Sequence, residues 1–523
     1  MNVRLTAALC LLGLSQSGVA QTTALATLRE CCGFGWAVSG LRDVDDDGIT
    51  DAIIGANGNG HVYVYSGRTG GRLRDFSLAA SELGHAVADA GDVDADGTAD
   101  IVAGGPAFMG TGAIRVWSGR TGAELLAVSG TQANGRFGHA VAGAGDVNGD
   151  GRSDLLVGAY GAPGRAFVIS GADGSVLRTL TGGGDNRGFG GGVAKLKDIN
   201  GDGLPEHLVA AVLDATVHVF SGADGSRLRT VSGDADSRSF GEFFLAEAGD
   251  VDADGRADIF VGDYQANGVR GAAYVFSGAD GRRLHKFVGE VEQEGFGTGR
   301  GAGDVDGDGR ADLIIGSGGF SPPGVNGGGR ARLYSGRTGE VLATYTGSQQ
   351  RANFGFDAVG IGDVNGDTRL DFLISSSSGN RVDIVSGTVL PPAPPPGYAI
   401  DASITGAWYD PTQAGHGIFI EVLPDQRFLA WWFTFDRAGN QAWFGGVGRY
   451  RGNRATVVAT RTRGGRFIPD FNSAAVSNPS WGTLEFSFGG CNSGLVRFDS
   501  DLGFGQDAMQ LTRLTLPLGA VCH

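Results

Sequence analysis

A nine-residue acidic pattern recurs seven times in this chain, starting at Asp43, Asp92, Asp146, Asp198, Asp250, Asp304 and Asp363. The steps between starts are 49, 54, 52, 52, 54 and 59 residues. Self-similarity at such a period means stacked units rather than one irregular core. Each unit has the same parts in the same order. An aromatic–glycine pair opens it: Phe34-Gly35, Phe137-Gly138, Phe189-Gly190, Phe240-Gly241, Phe296-Gly297 and Phe354-Gly355, with Leu83-Gly84 in the second unit. A strand-like run, the acidic loop, an aliphatic run and a glycine-rich loop follow. Then come an alternating strand such as His61–Tyr65, a Ser-Gly-x-x-Gly turn such as Ser66–Gly70, and a last short strand.

Four antiparallel strands per ~53 residues is the content of one propeller blade. A single blade cannot bury both faces of its sheet, whereas seven around an axis can. The expected fold class is all-β: a seven-bladed β-propeller over residues 21–390, then a smaller β domain. Closure makes a sharper expectation. The seventh unit reaches Ser386-Gly387 and runs into proline, so it lacks a fourth strand. A spare strand around Ala24–Arg29 precedes the first unit and is expected to complete the last blade, removing the exposed edge of an open ring.

Composition agrees. Of 523 residues 95 are Gly, 41% are hydrophobic and only 19% are charged, which excludes a helical bundle, because each helix-interior Gly costs about 1 kcal/mol. Net charge is −16 and no basic run occurs, which argues against a nucleic-acid partner. Residues 1–20 read as an export signal: Arg4, an apolar run from Ala7 to Leu14, and small residues ending at Ala20. No other apolar stretch approaches the ~18–20 residues of a membrane helix. The expectation is a protein that is secreted or resides in the cell envelope, in the periplasm or on the outer surface. Beyond the signal lie Cys31, Cys32, Cys491 and Cys522, which allow three pairings. Cys491–Cys522 is favoured as a disulfide pinning the C-terminal tail; Cys31 and Cys32 either bridge each other or stay reduced.

The loop Asp304-x-Asp306-x-Asp308-Gly309-x-x-Asp312 places carboxylates at positions 1, 3, 5 and 9. Gly at position 6 permits a left-handed turn, and the free variation at position 7 fits a backbone carbonyl donor. Hard oxygen ligands in this number favour Ca²⁺. Residues 21–397 carry 47 acids and 30 bases, net −17; seven Ca²⁺ would leave that region near −3. An EF-hand is excluded, because position 12 is aliphatic throughout, as at Ile54 and Val157, where that motif needs Glu.

The Phe-Gly pair, the Asp-x-Asp-x-Asp-Gly-x-x-Asp loop and the following Gly-Ala or Gly-Gly-Pro resemble FG-GAP repeats, which build the seven-bladed propeller at the head of integrin α chains and related propellers in bacterial exported proteins. The resemblance covers about residues 22–390 and implies Ca²⁺ between the first two strands of each blade. In integrins only some blades carry calcium; here up to seven sites are implied. Their ligands are Asp43, Asp45, Asp47 and Asp51; Asp92, Asp94, Asp96 and Asp100; Asp146, Asn148, Asp150 and Asp154; and Asp198, Asn200, Asp202 and Glu206. The remaining three sets are Asp250, Asp252, Asp254 and Asp258; Asp304, Asp306, Asp308 and Asp312; and Asp363, Asn365, Asp367 and Asp371. Glu206 stands where Asp is usual, and Thr368 where Gly is usual, which strains the seventh turn. In related propellers partners dock on the face bearing the loops before Phe-Gly. Tyr160, Tyr264 and Phe320 are the candidate contacts there.

Residues 391–397 form a proline-rich linker, and composition then changes. Residues 398–523 hold five of the seven tryptophans and seven strand-like runs, from Gly417–Val422 to Ala508–Leu514. A small antiparallel barrel or sandwich is expected. Trp431 and Trp432 cannot both face inward on a regular strand, so one is a candidate platform for a sugar or peptide. No nucleophile elbow, zinc motif or phosphate loop is present. The function expected is an adhesion-like module that recognises a protein or glycan. The alternatives are a polysaccharide lyase or hydrolase and an envelope structural protein.

Overall fold

The Phe-Gly pairs, the acidic loops and the Ser-Gly turns all fall where one strand gives way to the next. The computed structural model describes residues 24–183, 188–367, 369–387, 398–411, 415–435, 441–462, 476–500 and 506–517. Seven four-stranded antiparallel sheets form the ring. In blade 1 the strands are Phe34–Leu41, Asp51–Ala56, His61–Tyr65 and Arg72–Ser77, in that spatial order. The first strands of successive blades pack against one another around the axis, and that of blade 7 meets that of blade 1.

Blade 7 is closed as expected. Its sheet consists of Phe354–Gly362, Asp371–Ser376, Arg381–Val385 and, as outer strand, Ala24–Arg29. Thr27 faces Asp383 in register and donates its hydroxyl to that carboxylate at 2.6 Å. The ring is therefore clasped by its two ends. The linker, the export signal, Thr368 and Cys522 lie outside the described residues. A disulfide joins the adjacent Cys31 and Cys32, the bridged alternative of the two left open.

The core lies between blades. Each of seven apolar clusters draws its residues from two neighbouring blades, as where Phe240 and Ile259 meet Leu208 and Val217. The Phe of each Phe-Gly pair is buried, as is its substitute Leu83. The glycine that follows is required twice over. Gly138 has φ +83°, and a Cβ on it would lie 2.4 Å from Ala113 O. Its own carbonyl in turn sits where a Cβ on Gly104 of the previous blade would be, at 1.9 Å.

The C-terminal domain is a closed barrel of eight strands, from Gly406–Tyr409 to Gln506–Arg513, with first and last paired through Trp408 and Arg513. Of the two architectures expected, the barrel is the one formed. Gly406–Tyr409 was absent from the predicted runs, because four residues are too short for an alternation signal. Trp408, Trp481, Phe428 and Phe444 fill the interior. Trp432 points into it, 6% exposed, while Trp431 lies on the outer face against Gly445.

Candidate metal loops and the axial mouth

Backbone and carboxylates shape each loop together. The position-1 carboxylate accepts from the N–H of position 6: Gly48 to Asp43 at 2.6 Å, Gly97 to Asp92 at 2.9 Å, Gly255 to Asp250 at 2.9 Å. The position-5 carboxylate accepts from position 7, as Ile49 to Asp47 and Arg256 to Asp254, both at 2.9 Å. Position 9 is buried and brackets two segments. Asp51 accepts from Val44 N at 2.9 Å and from Gly67 N of the Ser-Gly turn at 3.1 Å. Asp100, Asp154, Asp258, Asp312 and Asp371 repeat this bracket.

Two pairs of neighbouring loops are strapped together, loops 2 and 3 and loops 5 and 6. Ser153 N donates to Asp92 O and Ala311 N to Asp250 O, each at 2.8 Å. Arg152 reaches Val93 O at 2.9 Å and Arg310 reaches Val251 O at 3.1 Å.

The donor set fits a hard divalent cation. In five loops three acidic side chains each bring an oxygen within 4.8 Å of the others: Asp43, Asp45 and Asp51; Asp92, Asp94 and Asp96; Asp198, Asp202 and Glu206; Asp250, Asp252 and Asp254; Asp304, Asp306 and Asp308. Glu206 Oε2 takes Ile199 N at 2.9 Å, which leaves Oε1 buried without a hydrogen-bond partner; Asp252 Oδ1 is buried and unpartnered likewise. Such acceptors are rare in folded chains, and these two belong to converging carboxylate sets. Burial pushes Asp51, Asp100, Asp258 and Asp312 up to about 7 and Glu206 to about 8, opposed by the backbone hydrogen bonds and reinforced by the loop's other carboxylates. A bound cation reverses that balance in favour of the ionised form. Loops 3 and 7, with Asp146, Asn148, Asp150 and Asp154, and with Asp363, Asn365, Asp367 and Asp371, have three acids each, as loop 4 does, and share the same backbone bracket.

In four blades the residue after the Phe-Gly or Leu-Gly pair reaches the axis. Trp36, His85, His139 and Phe356 come together there with Phe243, around a cavity of about 230 Å³. The rings of His85 and His139 are 4.8 Å apart, and Tyr160 stacks on His139 at 4.7 Å. Phe243 reaches both histidines, at 5.3 and 5.1 Å. It does so because blade 5 has one residue more than blade 3 between Phe-Gly and the acidic loop, and Phe243 takes up the excess at φ +63°. None of the four imidazole nitrogens has a hydrogen-bond partner. Burial pushes His85 down to about 4 and His139 well below its ordinary value, helped by the nearby Arg136. Both rings are therefore neutral at pH 7. Beside them Tyr264 donates to Glu242 at 3.4 Å, and burial raises the Glu242 carboxyl.

Of the expected contacts, Tyr160 and Tyr264 thus share one neighbourhood. Phe320 is spent on packing: the Arg330 guanidinium covers its ring at 3.8 Å, and Arg330 is held by Glu294 at 2.5 Å. Trp36, His85, His139, Phe243, Phe356 and Glu242 were not among the expected contacts. The available signal was register, since these residues stand one or two places after a Phe-Gly pair.

The repeat that orders these loops is found elsewhere. Residues 43–103 and 250–315 match the family model of the FG-GAP-like repeat, and residues 137–176 match that of the FG-GAP repeat. The integrin alpha pat-2 of Caenorhabditis briggsae is 31% identical over 209 residues. The ring is an integrin α-like FG-GAP propeller. Integrin alpha-IIb of Homo sapiens is 40% identical over 114 residues, 19% of this chain and 11% of that protein. Integrin alpha-V of Gallus gallus is 28% identical over 248 residues, 45% of this chain and 20% of that protein. The match to the worm protein covers 32% of this chain and 17% of the relative, so the likeness spans less than a fifth of the relative's length. Among the described residues no helix is long and apolar enough to cross a membrane.

Proposed function

We propose that this chain is an exported, calcium-loaded propeller that recognises a protein or glycan ligand at the axial mouth. The observation that carries the reading is the pairing of two features on one ring. Seven loops carry a hard-oxygen donor set with buried, unpartnered acceptors in two of them. An axial cavity is walled by Trp36, His85, His139, Phe243 and Phe356. Calcium would rigidify the connections between the first two strands of each blade, and with them the axial wall those strands build. Neutral imidazoles offer one donor and one acceptor each, and the aromatic rings offer flat apolar faces. That combination suits a sugar ring or a polar side chain. On the barrel, the half-buried Trp431 shares the outer face with the exposed Phe433 and Trp443, and that face is a second stacking surface.

The test is a glycan and protein binding screen on the dialysed full chain, with calcium and with EDTA. Binding that requires calcium and falls tenfold or more in Tyr160→Ala or Trp36→Ala supports the reading; binding unaffected by both variants refutes the location. One observation favours the lyase or hydrolase alternative: Glu242, Tyr264 and Arg136 put a base and a hydroxyl near a cation on this face. Release of unsaturated sugars from acidic polysaccharides, abolished by Glu242→Gln, would establish it.

A further inference from the structure

The third position of the acidic loop and the third position of the Ser-Gly turn in the same blade vary together. Where the loop has Asp45, Asp94 or Asp306, the turn has Arg68, Arg120 or Arg337. Where the loop has Asn148, Asn200 or Asn365, the turn has Ala172, Ala223 or Thr388. Blade 5 has Asp252 with Ala279, and Arg282 stands three residues further along.

The folded chain explains the pairing. Arg68 donates to Asp47 Oδ2 at 2.9 Å and to Asp47 O at 2.8 Å. Arg120 meets Asp96 in the same way, at 3.1 and 3.4 Å. Arg337 acts electrostatically on Asp306, and Arg282 closes on Asp252 at 2.5 Å. In two of the three asparagine loops neutral groups take the same oxygen. Asn200 Nδ2 and Ser221 Oγ donate to Asp202 Oδ2, and Asn365 Nδ2 and Ser386 Oγ to Asp367 Oδ2. Asp173 and Asp224 of the arginine-free turns bond the N–H of Ser175 and Ser226 within their own turns. Four carboxylates with one guanidinium sum to −3, and so do three carboxylates with none. That sum covers the ligand positions and the turn arginine; outside it stand the exposed Asp46, an extra acid at position 4 of the first loop, and the position-7 arginines Arg152, Arg256, Arg310 and Arg369, of which Arg152, Arg310 and Arg369 are spent on the backbone carbonyls of Val93, Val251 and Gly387.

We propose that the turn arginine is a charge-matching residue. It cancels the fourth carboxylate, so that the loops offer a divalent cation the same net charge and load over one range of calcium concentration. This rests on the calcium reading above. Equal loading matters because loops 2 and 3, and loops 5 and 6, are strapped together, and a ring is only as ordered as its weakest blade.

Calcium titration of the full chain by calorimetry and equilibrium dialysis tests it, with circular dichroism to confirm folding. The native chain should show one class of sites. With Arg68, Arg120 and Arg337 all changed to Gln, three sites should bind about five- to tenfold tighter, the effect of removing a unit charge roughly 7 Å from a divalent ion in water. Ala223→Arg, which places a cation on the turn facing an asparagine loop, should weaken one site by a similar factor. Adding Asp94→Asn to Arg120→Gln should return that site to the native class. Native binding with every variant unmoved overturns charge matching and leaves the calcium reading standing; so does weaker binding in the glutamine variants. A native chain that takes up no calcium overturns both.

Discussion

The ninth loop residue holds the fold before it holds an ion. Asp258 accepts from Val251 N at 2.8 Å and Gly278 N at 2.9 Å, both buried. Asp258→Ala strands these two donors, and leaving a buried donor unmade costs ~1–3 kcal/mol. Denaturant titration in EDTA should therefore show a loss of ~2–5 kcal/mol for the pair; an unchanged midpoint would mean that the residue serves only the ion. The buried histidines set a pH dependence. His85 and His207 are pushed by burial from 6.5 to about 4. On acidification the unfolded chain takes up protons first, so their contribution is complete above pH 6.5 and is lost as pH falls toward 4. His85→Gln should flatten the pH profile of stability over that window, as read by urea unfolding at fixed calcium. On the barrel, Trp432→Ala should cost ~3–5 kcal/mol, the range for emptying a buried aromatic site, whereas Trp431→Ala should leave unfolding nearly unmoved.

A blade is an element that cannot stand alone, and its strands show why. The second strand of each blade is buried along its whole length, as in Asp100–Gly105, because it lies between neighbours in its own sheet and between adjacent blades. Contact is close enough to exclude a methyl group. Gly104→Ala would bring a Cβ to 1.9 Å from Gly138 O and should cost ~1–3 kcal/mol as overpacking, even with calcium saturating. The clasp is the other element-scale device. Deleting residues 21–29 removes the outer strand of blade 7 and exposes Val382 and Ile384, which are fully buried beside it. The melting temperature should fall by several degrees, and the truncated chain should self-associate through the opened edge.

At the scale of the whole molecule, the ring concentrates acidic charge in its loops, and calcium is the proposed counter-charge. A site at free calcium 100-fold above its Kd adds about 2.7 kcal/mol to stability. With loops strapped in pairs, chelation should lower the melting temperature of the propeller as one transition, and a thermogram in EDTA that superimposes on the calcium trace would count against bound ions.

Periodicity alone determined the seven blades, the clasp by Ala24–Arg29 and the acidic loops, because each is a local pattern repeated in register. A repeated pattern forces a repeated structure when each unit lacks a core of its own. The axial mouth is different. Trp36, His85, His139, Phe243 and Tyr160 are spread over 208 residues, counted from 36 to 243, and meet only when the ring closes. Apart from Tyr160, which stacks on His139 within one blade, their ring neighbours lie in other blades, so register marks the positions but not who meets whom. The same holds for Trp431 and Trp432: alternation required that they face opposite ways, but only barrel closure decided which of the two is wet.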